Sequence, residues 1–130
     1  MITTHFVGSS LSDLKSFPAD VRKEIGFALE QAQHGEKSLH ATPLVGFNGA
    51  GVLEIISNSD GNTYRAVYVV RLSEAVFVLH CFQKKSKSGI ATPAKDMNLV
   101  RSRLKDAERA NERLRRDRVQ EKNQDEKPSG

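Results

Sequence analysis

The chain has a single cysteine, Cys81, no tryptophan and only 6% aromatic residues. A lone cysteine excludes an intramolecular disulfide and any cysteine-built metal cluster within one chain. Set in an apolar run, Cys81 reads as a small buried hydrophobe, because a nucleophilic thiol needs an exposed electropositive setting. No apolar run approaches the roughly 20 residues that cross a bilayer. The first five residues also lack the basic-then-apolar order of a secretory leader. A cytoplasmic protein with no membrane contact is therefore expected. His5, His34 and His40 have no metal-ligand spacing, so neither a metal nor another cofactor is expected. The glycines at 46, 49 and 51 are followed by no Gly-Lys-Ser/Thr and open no helix, so they read as backbone entry to a strand. No serine, histidine and acid set stands out as a hydrolytic triad.

What is present suits one domain: 130 residues with 38% hydrophobic content can bury an ordinary core. Leu11, Leu14 and Phe17 recur at helical spacing, with Ser10 or Ser12 as cap, and predict a short helix that stops before Pro18. Pro18 suits the first turn of a second helix. There Val21, Ile25, Ala28, Leu29 and Ala32 form one apolar stripe, and Gly35 ends it. Strand-like runs follow over 52–56, 63–71 and 75–84, with links short enough to require antiparallel neighbours. Residues 57–62, dense in turn formers, read as a loop. His5, Phe6 and Val7 read as a further edge strand.

Strict alternation places Arg65, Val67, Val69 and Arg71 on one face of the second run, opposite Tyr64, Ala66, Tyr68 and Val70. In the third run it groups Val76, Val78, His80, Phe82 and Lys84 against Phe77, Leu79, Cys81, Gln83 and Lys85. One sheet face should meet the helices, leaving the other as a concave functional surface. Thr92 as cap and Pro93 at the first position then start a C-terminal helix with Met97, Val100, Leu104 and Ala107 as its stripe. The stripe fails beyond Leu114. Residues 1–108 thus read as the folded domain and 109–130 as a charged helical extension fraying into a disordered tail. The fold class is α+β: an N-terminal helical hairpin on a small antiparallel sheet, followed by a C-terminal helix.

Charge is unevenly spread. Between Gln83 and Lys105 seven Lys/Arg face one acid, a local +6 in a chain whose total is +4. Such concentration is the footprint of a phosphate or nucleic-acid partner, or of a lysine edge that prevents strand-to-strand aggregation. Lys84, Lys85 and Lys87 at a strand end can surround a phosphate or stabilise charge building on one during cleavage. A lysine drawn into a partly desolvated cationic cluster loses proton affinity and can serve as a general base. Arg65, mid-strand, needs an anion partner, either a phosphate or Glu54 across the sheet. His80 reads first as a hydrogen-bonded histidine. Tyr64 and Tyr68 read first as core, although tyrosines can stack on bases.

The order of elements, with cations at the last strand's end, resembles the RelE/ParE toxin superfamily. Gly8-Ser9-Ser10-Leu11-Ser12-Asp13-Leu14-Lys15, the 46–55 segment, Tyr64-Arg65-Ala66-Val67-Tyr68 and His80-Cys81-Phe82-Gln83-Lys84-Lys85-Ser86 resemble its HigB-like, phage-related branch, over about residues 6–108. The resemblance implies a RelE-like fold and the toxin of a type II toxin–antitoxin pair. Its implied activity is a metal-independent endoribonuclease that cuts mRNA in the ribosomal decoding site, a ribose 2′-hydroxyl attacking the neighbouring phosphate. It assigns catalytic roles to Arg65, Lys84 and Lys85, with RNA or phosphate contacts from Lys87, Gln83, Tyr68, His80, Lys95 and Arg101. The implied partners are a cognate antitoxin with a helix-turn-helix, the ribosome and mRNA, and operator DNA for the antitoxin complex. The chain has no tyrosine beyond Tyr68, where some RelE-like toxins carry one after the basic pair. Two readings of other classes stay open: a ParE-like topoisomerase inhibitor, since one fold serves several targets, and a phage-derived binding module without catalysis.

Overall fold

The computed structural model describes residues 1–47, 49–84 and 92–125. Along them run β1 (Thr3–Phe6), α1 (Ser10–Lys15), α2 (Ala19–Gln33), β2 (Ala41–Pro43), β3 (Val52–Ser59), β4 (Asn62–Val69), β5 (Ala75–Lys84) and α3 (Ala94–Asp125). The five strands form one open sheet in the order β1-β5-β4-β3-β2. The architecture is α+β. β1 is the expected edge strand, but it runs parallel to β5. β2 carried no period-two signal in its three residues and contains a proline, which only a sheet edge tolerates.

Each helix forms where its apolar stripe has a partner. Val21, Ile25, Ala28 and Leu29 of α2, with Leu14 of α1, pack on Ile55, Ala66, Tyr68, Val76 and Val78. Gly35, at φ 78° just past the α2 C-cap, supplies the left-handed residue that ends a helix cheaply. The opposite sheet face is not the open concave surface expected from sequence. Val100 and Ala107 of α3 bury there against Val67, Val69, Phe77 and Leu79.

β3 runs past its apolar run to Ser59 and β4 begins one residue before its own, at Asn62, because most of the turn formers at 57–62 lie within the ladder. Ser59 pairs with Asn62, and only Asp60 and Gly61 turn, at φ 52° and 80°. Two consecutive left-handed residues are the signature of a type I′ hairpin, which Asp-Gly favours.

The alternation expected for β5 breaks at one position. Val67 pairs with His80 but Tyr68 pairs with Val78, so Leu79 is an extra residue, a β-bulge. Val76, Val78 and Cys81 consequently face α1 and α2. Leu79 and Phe82 pack on the α3 side, and His80 joins them there. A bulge of one residue reverses every side chain beyond it.

α3 extends through the polar stretch where fraying was expected, reaching Asp125 beyond the Leu114 end of its stripe. Its exposed face is laced by Arg109–Asp106, Arg115–Glu112 and Arg116–Glu112 pairs, the i,i+3 and i,i+4 spacings that support a helix. Arg118 Nε also reaches Glu74, ahead of β5, at 2.6 Å. The rest of the expected tail, residues 126–130, lies outside the described residues. No helix among the described residues is long and apolar enough to cross a membrane.

Candidate functional site

The first turns of α3 lie over the C-terminal half of β5, and the polar groups between them fall into two linked networks. Glu54 on β3 and Arg65 on β4 project from the α3-facing side of the sheet, both buried. Arg65 Nη1 donates to Glu54 Oε2 at 2.9 Å and to Thr92 Oγ1 at 3.2 Å, and the Thr92 hydroxyl donates to Glu54 Oε2 at 3.1 Å. Thr92 was expected to cap α3. Its hydroxyl instead completes this triangle, while the carbonyl of Pro93 accepts the Met97 N–H at 3.0 Å and opens the helix. A guanidinium 3% exposed is tenable only with such a counter-charge, and removing one member of a buried pair is strongly destabilising.

The second network is built on the bulge. Arg103 Nη1 donates to the Leu79 carbonyl at 3.0 Å, satisfying a backbone group that a bulge takes out of the ladder. The same nitrogen lies 3.4 Å from His80 Nδ1, and His80 Nε2 lies 2.8 Å from Asp96 Oδ1. A ring nitrogen facing a guanidinium acts as acceptor, which puts the ring proton on Nε2, toward the carboxylate. Arg103 Nη2 donates to Ser9 Oγ at 3.0 Å, and that hydroxyl donates to Asp13 at 2.8 Å. Gly8 makes room for this: a Cβ there would lie 2.8 Å from Arg103 Nε. Three segments remote in sequence are thereby tied to one guanidinium.

Between the networks the His80 ring stacks on Phe82, centroids 4.6 Å apart and planes 15° from parallel. Phe82 pairs across the sheet with Arg65, and Lys84 with Thr63 at the strand end. The structure thus brings Arg65, His80 and Lys84 to one end of one face, with Lys84 8% exposed. Gln83 is exposed and lies opposite Tyr64. Lys95 is exposed in the first turn of α3. Arg101 stands apart, 5.8 Å from the Phe47 ring and donating to Asn98. Lys85 and Lys87 lie outside the described residues.

Tyr68 is a correction to the expected RNA contacts. It is 1% exposed and faces α1 and α2, away from Arg65, because adjacent residues of a strand point to opposite faces. Burial pushes its phenol up to about 12, and likewise the Cys81 thiol, helped by the charge of Asp13. Neither group ionises near neutrality.

Sequence reasoning did not single out Thr92, Asp96, Arg103 or Ser9 for this site. For Asp96 and Arg103 a signal existed: with Val100 and Ala107 they share one helical stripe at three- and four-residue spacing. A charge on a packing stripe needs a buried partner. A family model described as phage derived protein Gp49-like (DUF891) matches residues 12–105, a span that holds both networks except Ser9. No curated protein matches the chain.

Proposed function

Because the chain belongs to the phage-derived Gp49-like family, a RelE/toxin-like family, we propose that it is the toxin of a type II toxin–antitoxin pair. In this reading it folds as RelE-like toxins do, in the HigB-like branch, and acts in the cytoplasm as a ribosome-dependent mRNA endoribonuclease held inactive by a cognate antitoxin. The observation that carries it is the end of β5, where stacked His80 and Phe82, buried Arg65 and the cation of Lys84 share one face. Positive charge gathered at one strand end suits the phosphates of an RNA chain.

The proposed reaction is a transesterification within the RNA chain. The 2′-oxygen bonds to phosphorus as the bond to the 5′-oxygen breaks, leaving a 2′,3′-cyclic phosphate and a 5′-hydroxyl. One of the paired lysines, Lys84 or Lys85, as the free amine takes the proton of the attacking hydroxyl, and the other, as the ammonium, gives one to the departing 5′-oxygen. Lys84 and Lys85 stabilise the charge that builds on the phosphoryl oxygens. Arg65, its charge balanced by Glu54, holds Thr92, and with it the far end of the lysine-bearing segment. Controlled expression with mapping of transcript 5′ ends tests this. New ends inside translated codons are expected for the wild type and not for a folded Lys84→Ala/Lys85→Ala variant. Arrested growth over intact transcripts would refute it.

One observation favours a second reading. Arg65 is committed to Glu54 at 2.9 Å, an arrangement that a non-nuclease toxin such as a ParE-like topoisomerase inhibitor, or an inactive binding module, would keep for stability alone. DNA damage with intact messages marks the first of these, and unimpaired growth the second.

A further inference from the structure

The outward face of α2 carries an ordered pattern of which the fold uses only Asp20. Asp20, Lys23, Phe27, Glu30 and, at the C-cap, His34 follow one another at spacings of three, four, three and four residues, and all five are exposed. Alternating three and four is the spacing of a seam that packs against another helix. Its central residue, Phe27, is 61% exposed, and Leu39, which shares a shallow hollow with it, is 96% exposed. Beside Phe27, a Cβ added at Gly26 would meet nothing within 4 Å, so an approaching aromatic ring has open backbone to rest on.

The charges on this seam are arranged about Phe27 so that the stripe complements its own reversal. Lys23 stands one turn before the ring and Glu30 one turn after it. A second copy laid antiparallel across Phe27 brings Lys23 opposite Glu30 of the second copy, and the reverse on the other side of the axis. Asp20 and His34 meet in the same way one turn farther out, although Asp20 also accepts from Ser59 at 2.7 Å. A parallel copy would set like charges together. We infer that this face of α2 is an isologous interface, through which two copies of the chain associate antiparallel about Phe27. The inference goes beyond the toxin reading and does not depend on it. One helix and the Leu39 side chain make a contact at the low end of specific interfaces, so the dimer is weak, on the order of micromolar or weaker.

The test is sedimentation equilibrium of the full chain up to about 300 μM, a range that covers such affinities. A concentration-dependent dimer is expected for the wild type. Phe27→Ser should abolish it. Lys23→Glu, which sets two acids face to face on each side of the axis, should weaken it by at least about tenfold, and Lys23→Glu/Glu30→Lys should restore it. Phe27→Cys should give a disulfide-linked dimer under mild oxidation, because Cys81 is buried and does not compete. All three positions are exposed, so unchanged melting temperatures are expected. A wild type that stays monomeric, or a dimer indifferent to the single changes, or a double swap that fails to restore association, would overturn the inference.

Discussion

The two faces of β4 and β5 are made by the same strands, yet they have solved different problems. The face under α1 and α2 is apolar along most of its length, and its buried ionisable groups are silenced, as with the Tyr68 phenol and the Cys81 thiol, each pushed up to about 12 by burial. The face under α3 is apolar only along part of its length, around Val67, Val69 and Leu79. At the other end it holds the Glu54–Arg65–Thr92 triangle and the His80–Asp96–Arg103 chain. Hydrophobic burial stabilises wherever water is excluded, so an apolar end would have served stability at least as well. A buried ion pair is often matched or exceeded by an apolar pair of similar shape. The polar end is where function is to be sought.

The largest effect that breaks this contrast is expected from Glu54→Ala, which leaves a buried guanidinium without its carboxylate. A loss of about 3–5 kcal/mol should appear in urea denaturation. Glu54→Leu/Arg65→Met, which makes both faces alike, should recover most of that stability. If growth arrest by the folded double variant persists, the Glu54–Arg65 pair has no functional role. Next, Ile25→Ala, a truncation in the core on the α1/α2 side, should cost about 2–5 kcal/mol. Its activity should fall only in step with the folded fraction, as activity assays alongside melting curves will show. Thr92→Val keeps the shape and removes one hydroxyl, so a cost of about 1 kcal/mol is expected. Thr92→Ser should restore both stability and activity.

The smallest effect lies outside both faces, at the distal end of α3. The hydrogen bond from Arg118 holds the Glu74 carboxyl below its ordinary 4.5, and that from Arg115 does the same for Glu112. A group whose folded pKa is depressed contributes stability above its unfolded pKa and loses it as pH falls through the folded one. The distal helix should therefore be protected at pH 6 and begin to open below about pH 4.5. Amide exchange across residues 112–125, compared with 96–107, reads this directly, and the difference should shrink in high salt, which screens exposed pairs.

Much of this fold was legible in advance. The stripe Val21, Ile25, Ala28, Leu29 names α2, the Thr92-Pro93 step locates the approach to α3, and Arg65 and Glu54 were weighed as partners across the sheet. β2 was hidden because three residues cannot show a period. The reversal beyond Leu79 was hidden because nothing in Leu79-His80-Cys81 distinguishes a bulge from regular alternation. Thr92 was read as a cap because its competing partners, Glu54 and Arg65, lie 38 and 27 positions away along the chain.

By itself the sequence determined what local patterns determine: the helices, the three long strands, the single thiol, and the cations gathered between Gln83 and Lys105. These follow from period, turn chemistry and composition, which act over a few residues. Only the tertiary structure decided that the buried anion facing Arg65 is Glu54, that Tyr68 is sealed in the core, and that Arg103 ties α3 to the N-terminal segment. Those outcomes depend on one inserted residue in a ladder and on contacts between positions as far apart as Ser9 and Arg103. Packing alone brings such positions together, and the low dielectric of the packed interior makes their pairing obligatory.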